Sequence, residues 1–213
     1  MIAELAAAAL ICLDPGHGTV PSVGAQREPI GPGSRELKVK DPGGAPGEAS
    51  IVLRIAFRTR DLLLARGYRV AMTRTRDGYR GGNIARAQFC NAKGAALMLR
   101  IHADGSTNSS ANGVSTLYPA LRRGWTDDIY TRSLRAARLV QRATVRATGA
   151  GDLGLVRRSD LTGFNWADVP AILVETGFTT NAREGALLRM TAYQRRVARG
   201  LADGVSSFVE RPG

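Results

Sequence analysis

A chain of 213 residues, of which 44% are hydrophobic and 23% charged, has the composition of a folded globular domain, and this excludes a disordered tail. It holds 30 Lys and Arg against 18 Asp and Glu, a formal net charge of +12 that favours polyanionic surroundings. The arginines are scattered, with no continuous basic run and no known nucleic-acid-binding motif, so specific nucleic-acid binding is not expected. No apolar stretch reaches the roughly 18 to 20 residues that a membrane helix requires.

The chain starts with an apolar segment over residues 1–13 that has no basic residues ahead of it and continues directly into the first motif. A secretory signal has a basic start and a cleavage site, so we interpret this segment as leading into the first strand, "LICLD". A targeting segment upstream of residue 1 is compatible with this interpretation. Residues 16–47 follow as a connection rich in Gly and Pro, and connections of this length are often functional.

Strands and helices alternate through the rest of the chain. Apolar or alternating runs predict strands at residues 68–74, 95–102, 113–119 and 170–175, of which 113–119 is expected near an edge. Helical spacing predicts helices at residues 48–66, 83–91, 126–148 and from 191 onward, and "NARE" at 181–184 fits a capping box. The alternation predicts a single α/β domain over residues 1–213, with helices on both faces of a twisted, mostly parallel sheet.

The two cysteines, Cys12 and Cys90, lie in apolar contexts and are too few for a disulfide framework. We expect them to be small buried core residues that do not form a bridge. The sequence alone does not decide whether their thiols are free.

Both histidines of the chain follow apolar strands. His17 stands between two glycines in "LDPGHG", and His102 ends "LMLRIH". Because ligands of open α/β sheets bind at the carboxyl edge of the strands, the two imidazoles are expected to meet there. Zinc binds imidazole nitrogen and carboxylate oxygen, and a catalytic zinc has three protein ligands. The pair therefore predicts a metal site, with two structural histidines as the alternative.

Two glutamates are candidates to complete such a site. Glu48 begins the helix after the glycine-rich connection, where the helix dipole alone also favours a carboxylate. Glu175 ends the apolar strand "PAILVE", and a carboxylate buried there without a partner would cost several kcal/mol. Beside a metal-bound water, the Glu175 carboxylate can take a proton from the water and deliver it to a leaving amine.

At these residues the sequence resembles the zinc-dependent N-acetylmuramoyl-L-alanine amidases of the type 3 class, over nearly the whole chain. "LDPGHG", "GEASIVLRIA", "RIHADG" and "ILVETGFTTN" are similar to four motifs of that family, in the same order. "MTRTRD" and "RAQFCNAKGA" are similar to a strand with a Thr-Arg pair and to an Arg-containing helix. The resemblance implies one Zn²⁺ per chain, held by His17, Glu48 and His102, with Glu175 as the catalytic glutamate.

The same resemblance implies hydrolysis of the amide that joins N-acetylmuramic acid to the L-alanine of the peptidoglycan stem peptide. A non-catalytic wall-binding relative and a zinc peptidase acting on stem peptides are the alternatives, and the four filled motif positions favour an enzyme. We expect a monomer outside the cytoplasm, in the wall or periplasm, as a bacterial autolysin or a phage endolysin. Anionic wall polymers are further candidate partners of the basic surface.

Two segments depart from the commoner family pattern. The connection over residues 19–47 is longer, and "LVRRSDLTGFNWADVP" precedes the last strand. We expect the latter segment to line the substrate groove, with Arg158 and Asn165 contacting peptide carboxylates or sugar; a segment that only packs is the alternative. The glycines beside His17 are expected to turn its ring toward the metal, with Asp14 or the loop backbone orienting it. The one helix between His102 and Glu175 predicts a site without an inhibitory plug.

Overall fold

The computed structural model describes residues 8–210, so the first part of the apolar start, residues 1–7, lies outside the described residues. The strands are β1 Leu10–Pro15, β2 Arg27–Pro29, β3 Leu37–Val39, β4 Arg69–Met72, β5 Leu97–His102, β6 Val114–Pro119, β7 Asp152–Arg158 and β8 Ala171–Glu175. The helices are α1 Pro21–Gly24, α2 Glu48–Ala65, α3 Asn83–Ala92, α4 Tyr130–Thr148, α5 Thr162–Asn165, α6 Ala182–Arg189 and α7 Thr191–Val209. None of the helices in this described part has the length and apolar character needed to cross a membrane.

Six strands form the central sheet in the order β4-β1-β5-β8-β6-β7, while β2 and β3 form a separate antiparallel hairpin. β4, β1, β5 and β8 run parallel; β6 pairs antiparallel with β8, and β7 pairs parallel with β6. The predicted mostly parallel α/β fold is confirmed. β6 is one strand in from the edge, because β7, which carries no apolar pattern, lies outside it.

Alternate side chains of the buried strands point to opposite faces of the sheet. On the first face, residues such as Leu99 and Val174 pack in one apolar cluster with side chains of α2, α4 and α7. On the second face, residues such as Met98 and Leu173 pack in another cluster with side chains of α3 and α5. The sheet is therefore covered on both faces, as the alternation of elements predicted.

A disulfide joins Cys12 of β1 to Cys90 of α3, with the two Cα atoms 5.6 Å apart. The expectation of two unbridged core cysteines was therefore wrong. Both residues are fully buried on the second face, where α3 lies against β1 and brings together positions 78 residues apart. Apolar context predicted the burial of each cysteine, but it contains no information on this contact.

Both segments predicted as loops contain regular structure. The connection over residues 16–47 holds α1 and the β2–β3 hairpin, and the segment before β8 holds part of β7 and α5. The two segments are joined to each other: Trp166 Nε1 donates to the Pro29 carbonyl at 3.0 Å, and Lys38 Nζ donates to the Asp160 carbonyl at 2.6 Å. They therefore form one wall beside the carboxyl edge of the sheet.

Two helix starts differ from their predicted form. Asn181 caps α6 as expected, accepting from the backbone N–H groups of Arg183 and Glu184. The Glu184 carboxylate does not complete the capping box; it accepts from the backbone N–H groups of Gly113 and Phe178. α4 begins at Tyr130, after a series of turns, and not at residue 126.

Candidate metal centre

Three side chains meet at the carboxyl edge of the sheet. His17 Nε2 and His102 Nδ1 each lie 3.2 Å from the same oxygen, Oε1 of Glu48. One ligand atom from each residue lies within 4.8 Å of the other two. His17 follows β1, His102 ends the adjacent strand β5, and Glu48 begins α2. The three residues predicted as ligands therefore form a group that can hold a metal ion.

The Glu48 carboxylate is held by the backbone around it. Ala103 donates its N–H to Oε1 at 3.1 Å and Ala45 donates its N–H to Oε2 at 2.9 Å. Gly44, with φ +71°, lies against the cluster: a Cβ at this position would lie 2.6 Å from Glu48 Oε2 and 2.6 Å from His17 Cδ2. A glycine is needed here both for its left-handed conformation and for the space it leaves.

His17 has a φ of 55°, the one left-handed non-glycine residue in the part of the chain that the structure describes. Buried arginines hold the backbone of this turn: Arg74 Nη2 donates to the Gly16 carbonyl and Arg86 Nη2 to the His17 carbonyl, each at 2.7 Å. A residue keeps an unfavourable backbone conformation only where its surroundings fix it in several ways. These contacts aim the imidazole at Glu48.

Asp14 does not orient the His17 ring, contrary to expectation. Its fully buried carboxylate accepts from Thr73 Oγ1 at 2.6 Å, Arg86 Nη1 at 2.7 Å and Arg100 Nε at 2.8 Å. Burial alone would raise the pKa of Asp14, but the two guanidinium groups outweigh it and hold the pKa well below its ordinary value. Asp14 therefore anchors the arginines beneath the turn. Arg100 lies inside the apolar run "LMLRIH", and a charge buried in such a strand needs a buried partner of opposite charge. This position was the sequence signal for a buried carboxylate such as Asp14.

The His17 ring is oriented by Asp41, which sequence reasoning missed. His17 Nδ1 lies 2.7 Å from Asp41 Oδ1, and Asp41 also accepts from the backbone N–H groups of Thr19 and Gly43. A carboxylate on the remote nitrogen of a histidine fixes its tautomer and is a usual partner of metal-ligating histidines. Asp41 lies in the aperiodic connection over residues 16–47, so no pattern distinguished it from other loop carboxylates.

The environment shifts the pKa values of the two histidines in opposite directions. Burial alone would lower the pKa of His17, but the carboxylates of Asp41 and Glu48 outweigh it and raise the pKa to about 9. Burial prevails at His102 and lowers its pKa. Burial would raise the pKa of Glu48, yet hydrogen bonds from the two imidazoles hold it well below its ordinary value. Glu48 is therefore ionised, and a bound cation would displace the proton that Glu48 and Asp41 stabilise on His17.

Glu175 ends β8 directly beside His102, with which it pairs in register. Glu175 Oε2 and His102 Nε2 are both buried and have no hydrogen-bond partner among the described residues. Burial raises the pKa of Glu175 well above its ordinary value, and the carboxylates of Asp104 and Glu48 raise it further. Buried polar atoms are normally paired, so one unpaired atom within the group that can hold a metal ion and another beside it fit a site for a metal ion and a polar substrate.

A groove leads away from the cluster along the wall formed by the hairpin and the segment before β8. It consists of a cavity of about 140 Å³ lined by His17 and His102 and an adjoining cavity of about 300 Å³ lined by Lys38 and Asp160. The two cavities share Arg100 and three other lining residues.

The two predicted substrate contacts lie in different surroundings. Arg158 lies beside the groove with its side chain 36% exposed, and binds Asp160 through Nε at 2.7 Å and Nη2 at 2.8 Å. Asn165 is 1% exposed, and its Nδ2 donates to the carbonyls of Ile30 and Ser159. Asn165 therefore joins the hairpin to α5, and its burial does not agree with the expected contact to substrate.

A family model described as N-acetylmuramoyl-L-alanine amidase matches residues 11–207. The chain belongs to this family. The N-acetylmuramoyl-L-alanine amidase Rv3717 of Mycobacterium tuberculosis is 28% identical, over 96% of this chain and 88% of that protein. The amidase LytC of Bacillus subtilis is 30% identical, over 93% of this chain and 35% of that protein. The crystal structure of the amidase Ami1 from Mycobacterium smegmatis superimposes with a TM-score of 0.85 at 28% identity, covering 96% of this chain and 98% of that one.

Membership in the N-acetylmuramoyl-L-alanine amidase family confirms the predicted family and the predicted class of enzyme, a peptidoglycan amidase. The helix α4 is the long helix between His102 and Glu175. It packs against α7 and the sheet on the first face. The side chains that line the groove come instead from the second face and the hairpin, and none of them belongs to α4.

Proposed function

We propose that this amidase is a zinc enzyme in which His17, Glu48 and His102 hold one Zn²⁺ and Glu175 transfers the proton. The observation that carries the proposal is the convergence of two imidazole nitrogens on the Glu48 carboxylate, next to the unpaired carboxyl group of Glu175. Two nitrogen donors and one oxygen donor are a known ligand set of catalytic zinc. When bound, the zinc ion would lower the pKa of its water to roughly 7 and polarise the scissile carbonyl.

Glu175 moves the proton of the reaction. The bond that breaks joins the lactyl carbonyl carbon of N-acetylmuramic acid to the nitrogen of L-alanine. Glu175 takes a proton from the attacking water and returns it to that nitrogen as the C–N bond breaks, which regenerates the carboxylate. The buried position of Glu175, at the end of β8 and in register with His102, places its carboxylate beside the candidate ligands to carry this proton.

The rim of the groove supplies charge for the stem peptide. Lys38 and Arg158 place two positive charges there against the single carboxylate of Asp160, which both of them contact. One positive charge is therefore left uncompensated in this local group. We infer that a carboxylate of the stem peptide binds at this position, through Arg158.

We infer that this catalytic domain acts outside the cytoplasm. A buried disulfide supports this location, because disulfides persist in oxidising compartments such as the cell surface and the periplasm. The three ligands and Glu175 all come from one chain, so a monomer is sufficient for activity.

Digestion of a defined muropeptide, followed by mass spectrometry, tests the proposal. We expect release of the intact stem peptide with a free L-alanine amino group, loss of activity on chelation, and recovery with zinc. Glu175→Gln should still bind one zinc per chain, while its rate falls at least about 100-fold because the proton carrier is missing.

Glu210→Gln is the matched control, since Glu210 is exposed at the end of α7 and should have no effect on the rate. Cleavage within the stem peptide would identify a peptidase instead. Turnover that persists after complete removal of metal would exclude zinc, and full activity of Glu175→Gln would exclude Glu175 as the proton carrier.

A further inference from the structure

The exposed face of α4 is formed by arginines. Tyr130–Thr148 contains five arginines and no acidic residue. Arg138, Arg142 and Arg146 are all exposed, and because they are four residues apart they lie in line along one side of the helix. From the first to the last they span about 12 Å of the helix axis. These three residues, named the arginine row here, are scattered in the sequence and aligned only by the helical period.

The arginine row has no role in the folded core. Among the ion pairs of the described residues none involves Arg138, Arg142 or Arg146, whereas the buried Arg86 and Arg100 both bind Asp14. Like charges four residues apart repel each other on a helix, so the folding of α4 does not favour this arrangement. An unpaired row of one sign on a surface attracts ligands of the opposite sign.

Concave surface adjoins the row on two sides. A groove of about 340 Å³ runs between the three arginines and Leu155 of β7. A cavity of about 460 Å³ lies at the carboxyl end of α4, where Arg183 and Arg196 add two further positive charges. The carboxylates in these linings already have donors: Asp152 accepts from Gln141 Nε2 and the Gly154 N–H, and Glu184 accepts from two backbone N–H groups.

The arginine row ends near the edge of the sheet at which Glu175 lies. The backbone N–H of Val114, at the start of β6, donates to Gly151 just after α4, and the next residue, Ser115, pairs with Glu175. The carboxyl end of α4 therefore lies at the same edge of the sheet as Glu175. α4 itself covers the first face, whereas the groove lined by Lys38 and Asp160 lies beside the second. A polymer on the row would not block the groove.

We propose that the arginine row and the adjoining cavity bind a flexible phosphodiester polymer of the cell wall, at a site separate from the muropeptide groove. A guanidinium group binds phosphate through two parallel hydrogen bonds, so three in line suit a chain of repeated phosphates. The row contains no aromatic side chain on which nucleic-acid bases could stack. The buried apolar residues of α4 face the core, and partly exposed ones such as Leu139 and Val145 also pack against it, so the helix has no continuous apolar face for a lipid surface. The choice of a wall polymer rests on the proposed location outside the cytoplasm.

Binding of purified poly(glycerol phosphate), measured by calorimetry at several salt concentrations, tests the proposal without any hydrolysis. The variant Arg138→Gln/Arg142→Gln/Arg146→Gln should bind at least 10-fold more weakly. Its plot of log affinity against log salt should lose about 2 to 3 units of slope, because fewer counterions are released. The control Arg54→Gln/Arg69→Gln/Arg76→Gln removes the same charge from exposed positions elsewhere and should change affinity less than about 3-fold.

Circular dichroism and hydrolysis of a small soluble muropeptide should be unchanged in both variants, which shows that they are folded. Equal losses in the two variants would mean that only the net charge matters, and this would overturn the proposed site. Absence of measurable binding by the wild type at low salt would also overturn it. Tighter, row-dependent binding to anionic phospholipid vesicles or to single-stranded DNA would replace the wall polymer with that ligand.

Discussion

At the scale of single residues, the candidate metal centre depends on backbone positions where a side chain would collide with His17, Glu48 or His102. A Cβ at Gly16 would overlap the ring of His102, and a Cβ at Gly44 would overlap both His17 and Glu48. The ligands are thus packed against the main chain on two sides, and small changes there should alter metal binding more than stability.

Gly44→Ala is expected to weaken zinc binding at least about 10-fold while the protein remains folded, since the new methyl group displaces Glu48 and His17. Gly43→Ala is its matched control: Gly43 also has a positive φ, of 96°, but a Cβ there would meet nothing within 4 Å. The two variants therefore share the cost of a left-handed alanine. Competition with a zinc-binding dye measures the affinity, and equal affinities of the two variants would contradict the packing argument.

Glu175 should make the metal-free protein less stable as the pH rises. Burial raises the pKa of Glu175 well above the value of about 4.3 expected in the unfolded chain. Between these two pKa values the folded state binds the extra proton, so the free energy of unfolding falls with increasing pH. Glu175→Gln cannot ionise and escapes this loss.

In the presence of chelator, the Tm of Glu175→Gln minus that of the wild type should therefore grow from pH 5 to pH 8. A difference of about 1 kcal/mol corresponds to roughly 2 to 4 °C in a chain of this size. Glu210→Gln should show no such trend, and a Tm difference for Glu175→Gln that stays constant across the pH range would refute the explanation.

At the scale of elements, regular apolar patterns predicted structure well and short or edge elements escaped prediction. The helix predicted over residues 48–66 is α2, Glu48–Ala65, because its apolar residues repeat at helical spacing over several turns. The strand β7 was missed because an edge strand buries little, and the hairpin strands β2 and β3 were missed because each has only three residues. Tertiary contacts, not local pattern, stabilise these elements.

The disulfide is a covalent link between β1 and α3, and the local sequence pattern did not predict it. Cys12→Ala/Cys90→Ala should lower the free energy of unfolding by about 2 to 4 kcal/mol, because the unfolded chain is no longer constrained by the closed loop. Urea unfolding without reductant measures this difference. A reducing agent should bring the wild type to the stability of the variant and leave the variant unchanged; identical unfolding of both proteins without reductant would contradict the prediction.

At the scale of the whole molecule, the position of the candidate ligands could be predicted and the residues that orient them could not. His17, His102 and Glu175 each end or follow a strand of the parallel part of the sheet, so topology alone places them at one edge. Asp41 comes from a loop whose path depends on the hairpin contacts. The sequence has a net charge of +12 but does not show where the charge is concentrated. The arginine row is formed only when α4 brings its arginines onto one side of the helix.

The Cys12–Cys90 bond has a consequence for the order of events in the life of this enzyme. It joins the strand that leads into His17 to the helix that carries Arg86, whose guanidinium holds the His17 carbonyl. A chain that leaves the cytoplasm with reduced thiols reaches its full stability only after oxidation, on the side of the membrane where peptidoglycan lies. In the proposed location outside the cytoplasm, the amidase would therefore complete its fold only after it has left the compartment in which it is made.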